Sequence, residues 1–384
     1  MSGPLRVGLN LVFLSEGAGG MGRYASELVP ALLEAEGSVG VTAFVSRDVP
    51  RPLVEAPWAS EVDWVRFPVA AVGSPVHLVA ELAAIPPLAR RQGVDVIHGL
   101  ANLVPPVAPG LATVATLHDL TWWHHRDAMP RHSRAVQRSL TPLCVRRADR
   151  VITPSETARD DVVRTLGLEP GRVRAVPHGA PEGRTVEPTP EAELRARLEL
   201  GSTRVVLSVA QLRPYKNLAA LVRALAALEA DDVALVLCGS PSDHSAELQA
   251  LADRLGVGDR LRVTGWVSDA DLEGLYEMAA CVALPSLSEG FGLPVLEAMA
   301  RGVPVACSDA SALKEVAGDS ARLFDPHDPE EVAAAIASLL DDRRLAEELV
   351  RRGRERAAGF TWERAARETV AVYREALGAR EGRE

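Results

Sequence analysis

The chain has 384 residues, 47% of them hydrophobic and 24% charged. That is enough apolar content for two or three buried cores and too much for a disordered, collagen-like or small disulfide-stapled chain. Its net charge of -10 argues against bulk nucleic-acid binding, which needs a cationic face to neutralise phosphates. No apolar run reaches about 18 residues, so no membrane-spanning helix is expected. The first apolar stretch, broken by Gly8 and Asn10 and without a basic flank, does not read as a signal peptide.

Residues 5–14 read as a strand, followed by the glycine-rich Gly17-Ala-Gly-Gly-Met-Gly22. Ala25, Leu28, Leu32 and Ala35 then recur at helical spacing. Strand-like runs return at Val39–Val45, Val94–His98 and Thr113–Leu117. Segment 177–190, with four prolines and two glycines, reads as an interdomain linker. The second half repeats the plan: strands at Arg204–Ala210, Val233–Gly239, Leu261–Thr264, Cys281–Pro285 and Val303–Cys307, with a helix at Asn217–Glu229 after the first of them. Short apolar strands alternating with helices predict an α/β chain of two doubly wound, Rossmann-like parallel-sheet domains facing a cleft. The expected limits are 1–180, 181–360 and a last helical segment, 361–384.

Cys144, Cys238, Cys281 and Cys307 have no CxxC spacing and read as reduced core residues. Charge is uneven: residues 1–180 are close to neutral at +1, and the remainder carries -11. Of the 42 basic residues only Lys216 and Lys314 are lysines, which singles them out in a chain that otherwise uses arginine.

The most informative segment is Ser286-Leu-Ser-Glu-Gly-Phe-Gly-Leu-Pro-Val-Leu-Glu297. A strand ends just before it, and Pro294 marks a helix start. Unpaired amides at such a start, with the helix dipole, suit phosphate or sugar oxygens, and glycines allow close approach. Glu289 in the loop and Glu297 in the helix can accept hydrogen bonds from hydroxyls.

This Glu-x7-Glu pattern resembles the signature of the family 4 retaining glycosyltransferases, two-domain enzymes of GT-B architecture. Val209-Ala-Gln-Leu-Arg-Pro-Tyr-Lys-Asn-Leu218 is similar to that family's phosphate-binding strand-loop-helix. Val263–Leu272 resembles its nucleobase-side segment, Arg147–Ser155 the end of its first domain, and Phe360-Thr-Trp-Glu363 the start of its crossing-back helix. The resemblance implies a mannosyl or glucosyl transfer from a nucleoside diphosphate sugar such as GDP-mannose or UDP-glucose. The acceptor would be a sugar, lipid-linked or small molecule, and no metal or tightly bound cofactor would be needed. It implies that Glu297 holds the ribose, Glu289 the transferred sugar, and Lys216 the diphosphate, with Asn217 as helix cap. The amides of Gly290, Phe291, Gly292 and Leu293 would lie near sugar and diphosphate, and Trp266 and Val267 near the base. The family's arginine five positions before the lysine is Gln211 here, leaving Arg213 as the nearest second cation.

Gly19 and Gly20 would face donor phosphate and acceptor. A dinucleotide loop is the alternative, although the spacing is not GxGxxG and Asp48 lies far for a ribose contact. His118-Asp119 follows a strand, and the resemblance places the histidine near the donor sugar. A metal cluster with His124 and His125 has no recognised ligand spacing. Asp269-Ala-Asp271 reads as a helix start capped by Ser268 or Asp269 rather than a metal motif. Residues 126–174 carry a +5 excess, with Arg131, Arg134 and Arg138 on one helical face. That face reads as solvated, or as a peripheral membrane contact for a cytoplasmic enzyme. The competing functions are an NAD-dependent two-domain oxidoreductase, a non-catalytic nucleotide-sugar binder, or a nucleotide-sugar epimerase of the same fold.

Overall fold

Aliphatic and β-branched runs become two parallel sheets in the computed structural model, which describes residues 5–15, 19–35, 39–71, 75–126, 129–181, 186–240 and 244–382. The first sheet contains β1 (Leu5–Leu11), β2 (Val39–Val45), β3 (Val62–Arg66), β4 (Val96–Gly99), β5 (Ala112–Thr116), β6 (Arg150–Thr153) and β7 (Val173–Ala175), in the order β3-β2-β1-β4-β5-β6-β7. The second contains β8 (Arg204–Val209), β9 (Val233–Cys238), β10 (Leu261–Gly265), β11 (Ala279–Leu284), β12 (Val305–Ser308) and β13 (Arg322–Phe324), in the order β10-β9-β8-β11-β12-β13.

Both orders grow outward from a central pair and reverse direction there. β1 pairs in parallel with β2 and β4; β8 pairs in parallel with β9 and β11. In such sheets the reversal opens a crevice beyond the carboxyl ends of the two central strands, because their connections leave toward opposite faces. The loops that matter chemically in the second sheet are therefore those after Val209 and Leu284.

β9 and β11 are apolar throughout rather than alternating because both sheet faces are covered. Every residue of β9 is buried. Val233, Leu235 and Leu237 enter one apolar cluster, and Ala234, Val236 and Cys238 enter the other. Successive side chains point to opposite faces, so one strand feeds both cores. β3, β7 and β13 were not anticipated. They are edge strands of three to five residues, and β3 carries Asp63 and Arg66, so no apolar run marks them. β6 falls inside the segment read above only as a motif.

By internal packing the chain divides into one unit of Met1–His124, Met129–Gly179 and Trp362–Glu384, and another of His125–Ala128 and Ala180–Thr361. The helix Trp362–Glu381 belongs to the first unit, where Trp362, Ala366, Val370 and Tyr373 join the core built on β1 and β2. All four cysteines are free and buried; burial pushes the Cys144 thiol up to about 11 and those of Cys281 and Cys307 to about 12. No helix among the described residues is long and apolar enough to cross a membrane.

Candidate functional site

In the second unit, β8 runs into a loop and the single turn Pro214–Lys216, after which the helix Leu218–Ala227 begins. Gly239 makes the start of this loop possible: a Cβ there would lie 1.9 Å from the Ala210 carbonyl oxygen. Asn217 stands at the N-cap position, but with a left-handed backbone (φ 54°) its side chain makes no cap bond. Nδ2 instead donates to the Pro326 carbonyl at 2.7 Å. The expected cap is thus a tether between two loops.

The loop after β11 meets this turn. Leu287 N donates to the Tyr215 carbonyl at 2.9 Å, and Glu289 N donates to Ser311 Oγ at 2.9 Å. These bonds bring the Lys216 Nζ to 2.6 Å from Glu289 Oε1, with side chains only 14% and 15% exposed. Arg213 lies on the same loop, half-buried, and its guanidinium makes no ion pair among the described residues. Gln211 is exposed.

Gly292 is required by its conformation. Its φ is 104°, and a Cβ would lie 2.5 Å from Leu313 Cδ2. The glycine turns the chain into the helix Leu293–Arg301, with Pro294 in the first turn. Phe291 points inward, 5% exposed, with its ring 5.9 Å from that of Phe360. Its side chain serves packing. Glu297 is buried within the helix, and Oε2 accepts a hydrogen bond from Tyr276 Oη at 2.8 Å. Trp266, after β10, is 65% exposed, an unusual setting for so large a ring, whereas Val267 packs on the core.

Ser268 caps the helix Asp269–Met278 by accepting from Asp271 N, and the Asp271 carboxylate pairs with Arg197 at 2.7 Å and Thr189 Oγ1 at 2.7 Å. Asp271 is thereby occupied, and among the described residues no cluster of His, Cys, Asp and Glu could hold a metal.

In the first unit Gly19 opens the helix Gly19–Glu34 with φ 59°, and a Cβ on Gly20 would meet nothing within 4 Å. Gly17 and Ala18 lie outside the described residues. The dinucleotide alternative needs a free acidic group after β2, and Asp48 instead accepts from Ala71 N at 3.0 Å. His118 lies just past β5. Its Nε2 donates to the Leu100 carbonyl at 2.8 Å, so Nδ1 is the acceptor. The rings of Tyr24 and His178 stand 4.9 and 5.5 Å from it. This packing keeps the imidazole below its usual pKa and hence neutral at pH 7. Asp119 Oδ1 accepts from Thr121 N at 2.8 Å, an Asx turn leading into the helix Thr121–His124. His124 pairs with Asp161, and the His125 ring packs near Tyr215, so the three histidines take separate partners.

The arginine face has a local employment. Arg134 Nε donates to the Trp122 carbonyl at 2.8 Å, and Arg138 donates to the Trp123 carbonyl and lies 4.1 Å over that ring. Both fasten the Thr121–His124 helix. Tyr24, His98, His178, Tyr276 and Arg301 escaped the sequence reading. Tyr276 sits at core spacing in its helix, and nothing local reveals that its hydroxyl meets a carboxylate 21 positions away.

Paired wound domains of this strand order, with a lysine-bearing turn and a glycine-started helix on the two central strands of the second, define the GT-B class of sugar-transferring enzymes. The profile described as "Glycosyl transferases group 1" matches residues 191–356, and "Glycosyltransferase Family 4" matches 18–184. The chain is 32% identical over 402 residues to the D-inositol 3-phosphate glycosyltransferase of Salinispora arenicola, covering 94% of this chain and 88% of that one. The alignment with the Salinispora tropica enzyme of that name spans about half (52%) of that protein. Identity to the MMP alpha-(1->4)-mannosyltransferase of Mycolicibacterium hassiacum is 31%, over 79% of this chain and 76% of that one. The structure of Anabaena Alr3699/HepE in complex with UDP-glucose superposes with a TM-score of 0.75 at 19% identity, covering 96% and 99% of the two chains. The chain belongs to the group 1, family 4 glycosyltransferases.

Proposed function

We propose that this enzyme is a retaining hexosyltransferase that moves a mannosyl or glucosyl group from a nucleoside diphosphate sugar to an acceptor hydroxyl. The observation that carries the reading is the placement of Lys216 on the β8 loop opposite the Gly290–Leu293 backbone on the β11 loop, beyond the two central strands of the second sheet. A fixed cation and helix-start amides are what a departing diphosphate requires, because its negative charge grows as the glycosidic bond breaks. Mannosyl and inositol-phosphate relatives, and a structural neighbour crystallised with UDP-glucose, support a nucleotide-sugar donor.

In the proposed reaction the bond from the anomeric carbon to the diphosphate oxygen breaks, and a bond to the acceptor oxygen forms on the same face. The acceptor proton passes to the departing diphosphate, and because attack is on the same face no side-chain nucleophile is needed; the cationic side chains take the place of a metal on the diphosphate. Lys216, with Arg213 beside it, stabilises the leaving group. Glu289 holds hydroxyls of the moving sugar and Glu297 those of the ribose. Trp266 and Val267 border the base. In the first unit His118 offers Nδ1 to a donor hydroxyl, and the backbone of Gly19 and Gly20 borders donor phosphate and acceptor. The acceptor is a sugar, lipid-linked or small molecule met in the cytoplasm.

Thermal melting with GDP, UDP, ADP and NAD tests the reading. A ligand at about 100 times its dissociation constant stabilises by roughly 2.7 kcal/mol, a shift of several degrees. A shift with GDP or UDP supports the transferase and selects its base. A shift with NAD alone overturns it. The anomeric configuration of the product, read by NMR, decides between retention and inversion.

A further inference from the structure

Glu297 sits among polar side chains from two helices. Tyr276, completely buried in the Asp269–Met278 helix, donates its hydroxyl to Glu297 Oε2 at 2.8 Å. The Arg301 guanidinium lies 4.7 Å over the Tyr276 ring. One turn after Glu297 in the same helix, Arg301 donates from Nη1 to the Glu297 carbonyl at 3.0 Å and from Nε to Glu273 Oε2 at 2.8 Å, and Nη2 contacts the other Glu273 oxygen. Glu273 lies one turn before Tyr276 in the same helix, so Arg301 reaches two residues of that helix. Glu273 and Glu297 are 5% and 4% exposed.

Burying two carboxylates and a guanidinium carries a desolvation cost that an apolar cluster of equal volume would avoid. A site needed only for packing has no use for it. The arrangement is, however, what a rigidly aimed carboxylate demands: long side chains lose rotamer freedom to bonds made before the ligand arrives.

We propose that Tyr276 and Arg301 are positioning residues for Glu297, fixing its carboxylate in the orientation that receives the two ribose hydroxyls of the donor nucleotide. The inference rests on the reading of Glu297 as the ribose contact. A carboxylate can accept about four hydrogen bonds, so the bond from Tyr276 can orient Glu297 without exhausting its acceptor sites. Arg301, neutralised by Glu273, braces the tyrosine ring.

Calorimetric titration tests this, with GDP or UDP, whichever the wild type binds, against its 2′,3′-dideoxy analogue. In the wild type, removing the hydroxyls should weaken binding by about 10- to 100-fold. Tyr276→Phe keeps the ring under Arg301 and removes only the hydroxyl. It should weaken the ribonucleotide about tenfold, leave the dideoxy analogue unchanged, and so shrink the ratio by about tenfold. Tyr276→Phe in a Glu297→Ala background should change neither affinity further. A collapsed ratio in Glu297→Ala with a wild-type ratio in Tyr276→Phe overturns the positioning role alone, even if the variant unfolds at lower urea. A wild-type ratio in Glu297→Ala overturns the ribose reading, and the proposal with it.

Discussion

Lys216 and Glu289 are 73 positions apart in the chain, yet Nζ and Oε1 are 2.6 Å apart, nearly enclosed by two loops. The ammonium is therefore already partnered, and on the proposed function a bound diphosphate has to share it. The two residues should respond in opposite senses. Lys216→Ala is expected to weaken nucleoside diphosphate binding and slow transfer about 10²- to 10³-fold. Glu289→Gln removes the negative charge beside the ammonium, so diphosphate binding should hold or tighten while transfer falls. Calorimetry with the diphosphate and initial rates with the sugar donor separate the two. Equal weakening of diphosphate binding by both variants would refute the shared-lysine account.

Gly292 and Gly20 make a contrasting pair. Gly292→Ala forces a Cβ into Leu313 at a positive φ and should destabilise by about 1–3 kcal/mol, read from urea midpoints. Gly20→Ala adds a methyl in open space inside a helix and should raise stability by about 0.5–1 kcal/mol. If the Gly20 backbone borders donor phosphate, transfer nonetheless drops in the more stable variant. Unchanged rates would remove Gly20 from the site.

Asp119 separates a turn-forming role from a ligand contact. Asp119→Ala loses the acceptor for Thr121 N and should cost roughly 1 kcal/mol. Asp119→Asn keeps that acceptor and should recover the stability. If Asp119→Asn also recovers full transfer, its carboxylate does not touch the donor.

The acid side of the stability curve is expected to follow His98. Nδ1 meets Tyr373 Oη at 2.7 Å, Nε2 meets Thr116 Oγ1 at 2.7 Å, and Thr116 shares a further bond with Tyr24. Burial lowers the imidazole from 6.5 to about 3, so the folded chain binds fewer protons than the unfolded chain between those values. His98 thus contributes stability that is complete above pH 6.5 and lost at about 1.4 kcal/mol per pH unit as pH falls toward 3. Glu81 has the opposite sign: burial raises it from 4.5 to about 7, so its contribution is complete below pH 4.5, is lost as pH rises from there to 7, and opposes that of His98 between those values. Urea midpoints between pH 7 and 5 should fall less steeply in His98→Asn than in wild type. Parallel slopes would place the acid sensitivity elsewhere.

The wound architecture and the central strands were legible because strands covered on both faces leave unbroken apolar runs, as β8, β9 and β11 do. Lys216 and Glu289 were legible as candidates because loops after such strands carry glycines and charges that a core excludes, and Glu297 because a carboxylate inside an apolar helix stands out. The edges were not: β3, β7 and β13 are short or half-exposed, and pattern needs length. Nor were the partners. That Asn217 tethers Pro326, that Phe291 turns inward, and that Tyr276 braces a carboxylate are consequences of distant segments meeting. Local spacing carries no record of them.

The helix Trp362–Glu381 supplies Trp362, Ala366, Val370 and Tyr373 to the core of the first unit, so that unit is encoded in pieces on either side of the second. On the ribosome, residues 1–179 must wait through about 180 further codons before the segment that completes their core emerges. The second unit's main segment, 180–361, is by contrast almost continuous. The usual head-first sequence of maturation is thereby reversed: the second unit can consolidate while its elder neighbour is still unfinished, and a ribosome that stalls late releases a chain with one sound half.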